Sequence, residues 1–229
     1  MKTIGLIGGM SWESTIPYYR FINEGVKARL GGLHSAKLLL HSVDFAEIEQ
    51  LQRVGDWDAA GAQLAHAAQG LQAAGAEFLL IGTNTMHKVA PAIEAAVDIP
   101  LLHVVDATAA AIEAAGLDTV GLLGTRFTME QDFYIDRLRA HGLNVHVPTA
   151  DDREIVHRVI YDELCLGHIE APSREAFRRV MSRLVDRGAQ GIILGCTEIS
   201  LLVGATDASV PLFDTTRIHA DAAVALACA

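Results

Sequence analysis

Gly75-Ala76-Glu77-Phe78-Leu79-Leu80-Ile81-Gly82 recurs later in the chain as Gly188-Ala189-Gln190-Gly191-Ile192-Ile193-Leu194-Gly195. Working outward, Gly5-Leu6-Ile7-Gly8 recurs as Gly121-Leu122-Leu123-Gly124, and Ile99-Pro100-Leu101-Leu102 as Val210-Pro211-Leu212-Phe213. A weaker fourth pair, Ala36 to Asp44 against Leu143 to Asp151, falls where the order requires. Among the first three pairs the spacing between copies drifts by only a few residues, as small loop deletions would produce. Four matches in one order imply that the chain is a duplicated half.

Each repeated block is a short apolar run closed by glycine or a polar cluster, the pattern of a strand buried on both faces. Helical spacing fills the gaps. Ile16, Tyr19, Ile22, Val26 and Leu30 follow the first strand, and Gly31-Gly32 stops that helix. Leu64, Ala68, Leu71 and Ala74 precede the third strand; Phe177, Val180, Met181, Leu184 and Val185 match them in the second half. Strands alternating with helices predict βαβ units and parallel sheets. The expected fold is therefore α/β, with two pseudo-twofold-related lobes, each a four-stranded parallel sheet flanked by helices. Residues 1–104 plus 213–229 would form the first lobe and residues 105–212 the second. Ligands of open α/β sheets bind at the carboxyl ends of the strands, so a cleft between the lobes is expected.

Composition narrows the function. A formal charge of −10 argues against a nucleic-acid partner, which calls for a basic face. No apolar stretch approaches the ~20 residues that span a bilayer, and no secretory leader is evident at Met1. A cytoplasmic enzyme with no membrane partner is expected. Cys165, Cys196 and Cys228 form no C-x-x-C pair and suggest neither a disulfide framework nor a zinc site. The ten histidines lack H-x-x-x-H or H-E-x-x-H spacing. Gly5-x-x-Gly8-Gly9 is not a dinucleotide fingerprint, and Asp151-Asp152-Arg153-Glu154 reads as a solvated turn.

The repeat makes Thr83 and Cys196 equivalent, each following the glycine that ends a third strand. They are expected to confront each other across the cleft. The first strands end in Gly8-Gly9-Met10-Ser11-Trp12-Glu13-Ser14-Thr15 and Gly124-Thr125-Arg126-Phe127-Thr128, glycine turns with hydroxyls that open helices. Backbone N–H groups there, with the helix dipole, suit a carboxylate and mark Ser11 and Thr125 as substrate-binding. A cysteine in such surroundings is expected to have a lowered pKa. Cys165 reads as the apolar side of a helix, and Cys228 as inert. His87 and Lys88 divide evenly between surface and site. His103 and Asp214, at equivalent fourth-strand ends, would line the cleft or satisfy backbone groups.

These blocks, with Thr83-Asn84-Thr85-Met86-His87, Gly195-Cys196-Thr197-Glu198, His41-Ser42-Val43-Asp44-Phe45 and the stretch from Tyr161 to Gly167, resemble the aspartate/glutamate racemase family end to end. The resemblance is strongest to the broad-specificity or aspartate/glutamate-specific branch. It implies a small amino-acid substrate, no pyridoxal phosphate or other cofactor, no metal, and a homodimer. It also implies two thiols flanking the substrate α-carbon, one removing the α-proton and the other returning one to the opposite face. Cys196 matches the second thiol, and Thr83 stands where many relatives carry the first. By the same resemblance Met10, Gln52, Asn84, Thr85 and Thr197 line the substrate pocket. Many relatives place a lysine near Tyr161–Gly167 for an acidic side chain, whereas here Leu166 and His168 occupy that region. A threonine hydroxyl donates or relays a proton but cannot replace a thiolate base. Three functions therefore stay open: a racemase with a Cys/Thr pair, a single-cysteine decarboxylase-like relative, and a two-lobed binding protein for a small acid.

Overall fold

The computed structural model describes all residues, Met1 to Ala229. The chain divides into two compact units, Met1–Val104 with His219–Ala229, and Val105–Ile218. The first contains β1 (Ile4–Gly8), α1 (Trp12–Leu30), β2 (Leu38–Ser42), α2 (Phe45–Val54), α3 (Trp57–Ala73) and β3 (Phe78–Ile81). A 3-10 turn at Thr85–Val89 and α4 (Ala90–Glu94) follow. Next come α5 (Val104–Ala114), β4 (Thr119–Gly124), α6 (Arg126–Glu130), α7 (Asp132–Ala140), β5 (Asn144–His146) and α8 (Ala150–Asp162). A 3-10 turn at Leu164–Leu166 leads to α9 (Ala171–Asp186), β6 (Gly191–Gly195), α10 (Ile199–Leu202), β7 (Leu212–Asp214) and α11 (Thr215–Ala227).

Both sheets are parallel, ordered β2-β1-β3 and β5-β4-β6-β7. Their registers follow the repeat. Ile7 pairs with Ile81 as Leu123 pairs with Leu194, and Ile4 pairs with Leu38 as Val120 pairs with Val145. The last register confirms the weakest of the four sequence matches. The fourth strand of the first sheet is a correction to the expectation. It shrinks to one bridge, Leu79 to Leu101, made by Leu79 N–H to Pro100 O and Leu102 N–H to Leu79 O, each 2.9 Å. Pro100 has no N–H to extend the ladder, and α5 begins only three residues beyond Leu101.

Alternation along β1 and β3 sends side chains to two buried faces. Ile4, Leu6, Phe78 and Leu80 pack with Tyr18, Ile22 and Val26 of α1 and with Ala220, Ala223 and Val224 of α11. Ile7, Leu79 and Ile81 pack on the other face with Leu64, Ala68 and Leu71 of α3. In the second unit Leu123, Ile192 and Leu194 meet Val156 and Ile160 of α8 and Phe177, Val180, Met181 and Leu184 of α9. The sequence misjudges one helix face. On α1 the inward stripe runs through Tyr18, Ile22 and Val26, while Ile16, Tyr19 and Leu30 are exposed. Gly31, at φ +74°, ends that helix as expected.

Two glycines set the end of the second sheet. Gly124 and Gly195 pair across β4 and β6. A Cβ on Gly195 would lie 2.7 Å from the Leu123 carbonyl oxygen, and one on Gly124 would lie 2.9 Å from the Gly195 oxygen. Only backbone fits there, so the strands stay close up to the residue that precedes Cys196.

Candidate functional site

Cys196 leaves β6 immediately after Gly195 and is buried, 8% exposed. The chain turns at once toward α10, and the turn brings the Glu198 side chain back to the sulfur. The Cys196 thiol donates to Glu198 Oε2 at 2.9 Å, and the Thr197 hydroxyl donates to the same oxygen at 2.7 Å. Thr197 and Glu198 are 4% and 2% exposed, so this three-residue cluster is dry. Burial pushes the thiol well above the ordinary cysteine range, and the Glu198 carboxylate pushes the same way. Cys165 adds a smaller push, while the Glu198 backbone N–H, bonded to the sulfur, opposes them. The expectation of a lowered pKa is overturned. The surroundings disfavour the thiolate, and the buried Glu198 carboxylate accepts the thiol's hydrogen bond.

Glu198 is a candidate site residue that sequence reasoning passed over. Its signal lay in the spacing Cys196-Thr197-Glu198, where a turn directly after a strand end lets the third residue reach back to the first. Thr125, on the neighbouring strand end, caps α6: its Oγ1 accepts from Thr128 N–H at 3.3 Å and lies 3.2 Å from Thr128 Oγ1. The next residue, Arg126, pairs with Glu154, and its N–H donates to His157 Nδ1 at 3.2 Å. Burial first, and then Arg126, lower the His157 pKa.

In the first unit Thr83 follows β3 and is half-buried; Asn84 and Thr85 beside it are 1% and 4% exposed. Met10, Ser11 and Gln52 belong to the same unit and are also buried. Ser11 caps α1, its Oγ accepting from Ser14 N–H, and Gln52 Nε2 donates to the Met86 sulfur at 3.0 Å. The glycine turn is less open to an anion than its sequence suggests. The Gly9 N–H is already spent on Thr15 Oγ1 at 2.8 Å, because the threonine lies one turn along α1 and faces back.

The weaker candidates separate cleanly. His87 is buried and Lys88 lies 3.9 Å above the Trp57 ring, a cation–π contact. Asp214 accepts from the N–H groups of Thr216 and Arg217 and so caps α11; burial raises its pKa. Asp151 to Glu154 form the first turns of α8 rather than a loop, with Asp152 gripped by both arms of Arg183 at 2.8 and 2.5 Å. Cys165 is half-buried against the core that contains Cys196, and Cys228 packs against the core of the first unit. Leu166 is exposed, 62%, as is His168. No three His, Cys, Asp or Glu side chains converge in the way a metal ion requires, and no helix is long and apolar enough to cross a membrane.

A family model described as Asp/Glu/Hydantoin racemase matches residues 7–223, nearly the whole chain. The chain belongs to that racemase family. Among solved structures, a candidate Asp/Glu racemase from Yersinia pestis is 63% identical over 100% of both chains, with a TM-score of 0.93. An aspartate racemase homologue from Pyrococcus horikoshii is 35% identical, again over 100% of both chains, with a TM-score of 0.87. The broad-specificity amino-acid racemase RacX of Bacillus subtilis is 21% identical and aligns over 96% of each chain. The resemblance read from the strand-end blocks is therefore correct, and those blocks lie within the matched span of the racemase family.

Proposed function

We propose that this chain is a cofactor-independent racemase of acidic amino acids, of the L-aspartate/L-glutamate type, acting in the cytosol. The observation that carries the reading is the buried Cys196–Glu198 pair at the end of β6, within a racemase-family fold. In this reading Thr83 and Cys196 approach the substrate α-carbon from opposite faces. The thiol proton passes to Glu198; the thiolate then takes the α-proton, and the electron pair of the C–H bond stays as a carbanion. Met10, Ser11, Gln52, Asn84, Thr85, Thr125 and Thr197 bind the substrate, and polar donors on its carboxylate spread the carbanion's charge. The Thr83 hydroxyl protonates the opposite face and recovers its proton from water, and the hydroxide so formed takes the proton that Glu198 holds, which returns every group to its starting state.

The equilibrium constant between enantiomers is one, so kcat/KM must be equal in both directions. The Cys/Thr asymmetry can show only in exchange with return to the same hand, or in separate kcat and KM values. A hydroxyl is a weak acid beside a thiol, so the wild type should exchange the α-proton of the L-enantiomer faster than that of the D-enantiomer. Thr83→Cys should raise net inversion about tenfold, which needs only ~1.4 kcal/mol off the second barrier. Proton NMR in D₂O with each enantiomer of aspartate and glutamate reads this directly. Equal exchange from L and D, unchanged in Thr83→Cys, defeats the assignment.

One observation favours a second reading. A lone strand-end thiol held protonated is also suited to protonating a carbanion left by CO₂ loss, as in a single-cysteine decarboxylase. Release of CO₂ without inversion identifies that activity, and a binding protein incorporates no deuterium at all.

We also propose a homodimer. Trp12, Ile16 and Tyr19 lie on one side of α1 and are 62%, 55% and 58% exposed, an apolar face of the sort that subunit contacts cover. Sedimentation equilibrium of wild type and Ile16→Glu checks it, the variant being expected as monomer.

A further inference from the structure

His87 sits four residues after Thr83, where the 3-10 turn Thr85–Val89 folds it back beneath the strand end. Its Nδ1 lies 2.8 Å from the Thr83 carbonyl oxygen, an acceptor only, so Nδ1 carries the proton. Its Nε2 receives the Val104 N–H at 3.2 Å, so that nitrogen is bare. One neutral tautomer satisfies both bonds. His219 of α11 shows the mirror arrangement: Nε2 donates to Leu102 O at 2.8 Å, and Nδ1 accepts from the Tyr18 hydroxyl at 2.9 Å. The His87 ring centre is 4.5 Å from that of His103 and 5.8 Å from that of His219, and all three histidines are 4% exposed or less. The rings brace one another around the segment Leu102–Val104 and the strand end that bears Thr83.

We infer that His87 is a positioning residue for Thr83, its Nδ1–H fixing the Thr83 carbonyl and thereby the Thr83–Asn84 peptide plane from which the strand-end donors project. The inference rests on the racemase reading of Thr83. A trans peptide is planar, so pinning its C=O also sets the direction of the Asn84 N–H on the opposite side. A merely structural histidine would be explained by backbone satisfaction alone, since an apolar replacement takes the histidine's bonds from the part-buried Thr83 carbonyl and the buried Val104 N–H. The difference is in which bond matters. Positioning works through the Thr83 carbonyl; general stability draws equally on the Val104 bond.

Asparagine and glutamine separate the two, because Asn Nδ2 falls near the place of Nδ1 and Gln Oε1 or Nε2 near the place of Nε2. The experiment measures L-to-D inversion and L-face deuterium exchange for wild type, Thr83→Val, His87→Leu, His87→Asn and His87→Gln, with thermal melting of each. Inversion should fall by about 10²-fold in His87→Leu, the scale of a misplaced reacting group, while L-face exchange through Cys196 survives. His87→Asn should restore most of the inversion, and His87→Gln should restore thermal stability but little inversion. Nitrogen-15 NMR of histidine-labelled wild type should show His87 neutral with the proton on Nδ1. If Thr83→Val lowers inversion but His87→Leu does not, or if Asn and Gln rescue alike, the positioning role is overturned and the racemase reading stands. If Thr83→Val changes nothing, the racemase reading of Thr83 fails and the positioning role falls with it. Should His87→Leu fail to fold, the Asn/Gln comparison and the nitrogen shifts decide.

Discussion

Cys196→Ala should abolish exchange of the substrate α-proton, a loss of at least the 10²–10⁴-fold that a positioned acid–base group supplies. The fold should survive. Cys196 is a small member of the second unit's core, and trimming one sulfur costs on the order of 1 kcal/mol. Cys165→Ala and Cys228→Ala, both half-buried, are expected to retain activity. The companion variant Glu198→Gln tests why the thiol keeps its proton. Burial is the larger cause and the Glu198 charge the next, so removing that charge should lower the thiol pKa without bringing it to the value of an exposed cysteine. Alkylation by iodoacetamide should therefore speed up at any fixed pH below the thiol pKa. Substrate exchange should nevertheless slow, because the acceptor of the thiol proton has gone. Opposite movements in thiol reactivity and in turnover are the mark of a carboxylate working with the thiol. If alkylation is unchanged in Glu198→Gln, burial alone holds the proton and Glu198 has no part in it.

The architecture was legible because a duplicated chain repeats its strand ends, and strand ends are where parallel sheets carry their ligands. The equivalence of Gly82 with Gly195 needed no contact information, only the order of apolar runs. What escaped the sequence were features that depend on burial or on closure over long separations. A thiol beside a helix start suggests a lowered pKa, yet α10 is one turn long and its dipole is weak against the desolvation of a sulfur lodged in a core. Ile16 and Tyr19 look like core by spacing, yet α1 turns Tyr18 inward because its hydroxyl finds His219, about two hundred residues away in the chain. His87 and His103 were legible only as residues near strand ends, and their association with His219 was hidden for the same reason. Their grouping exists only after α11 has returned to the first unit.

Acid should destabilise the protein through that group well before the carboxylates titrate. His219 is fully buried and neutral, its pKa lowered from the ordinary 6.5 to about 4, chiefly by burial, with the Leu102 carbonyl opposing weakly. The direction follows from proton counting. Between pH 6.5 and 4 the unfolded chain binds a proton at His219 that the folded chain refuses, so stability falls as pH drops through that window. Above pH 6.5 both states are neutral and the contribution is fully present; below pH 4 both are charged and the loss is complete. A separation of that size corresponds to about 3 kcal/mol at 1.36 kcal/mol per unit, a large share of the 5–15 kcal/mol typical of a whole domain. The groups against the ring are His87, Tyr18 with its hydroxyl and the Leu102 carbonyl, and no carboxylate acts on its titration. His219→Gln can keep a donor toward Leu102 while removing the titration. Urea unfolding at pH 7.5, 6 and 5 should show the wild type losing stability steeply and His219→Gln losing much less, with exposed His34→Gln following the wild type. Parallel slopes for wild type and His219→Gln would place the acid sensitivity elsewhere.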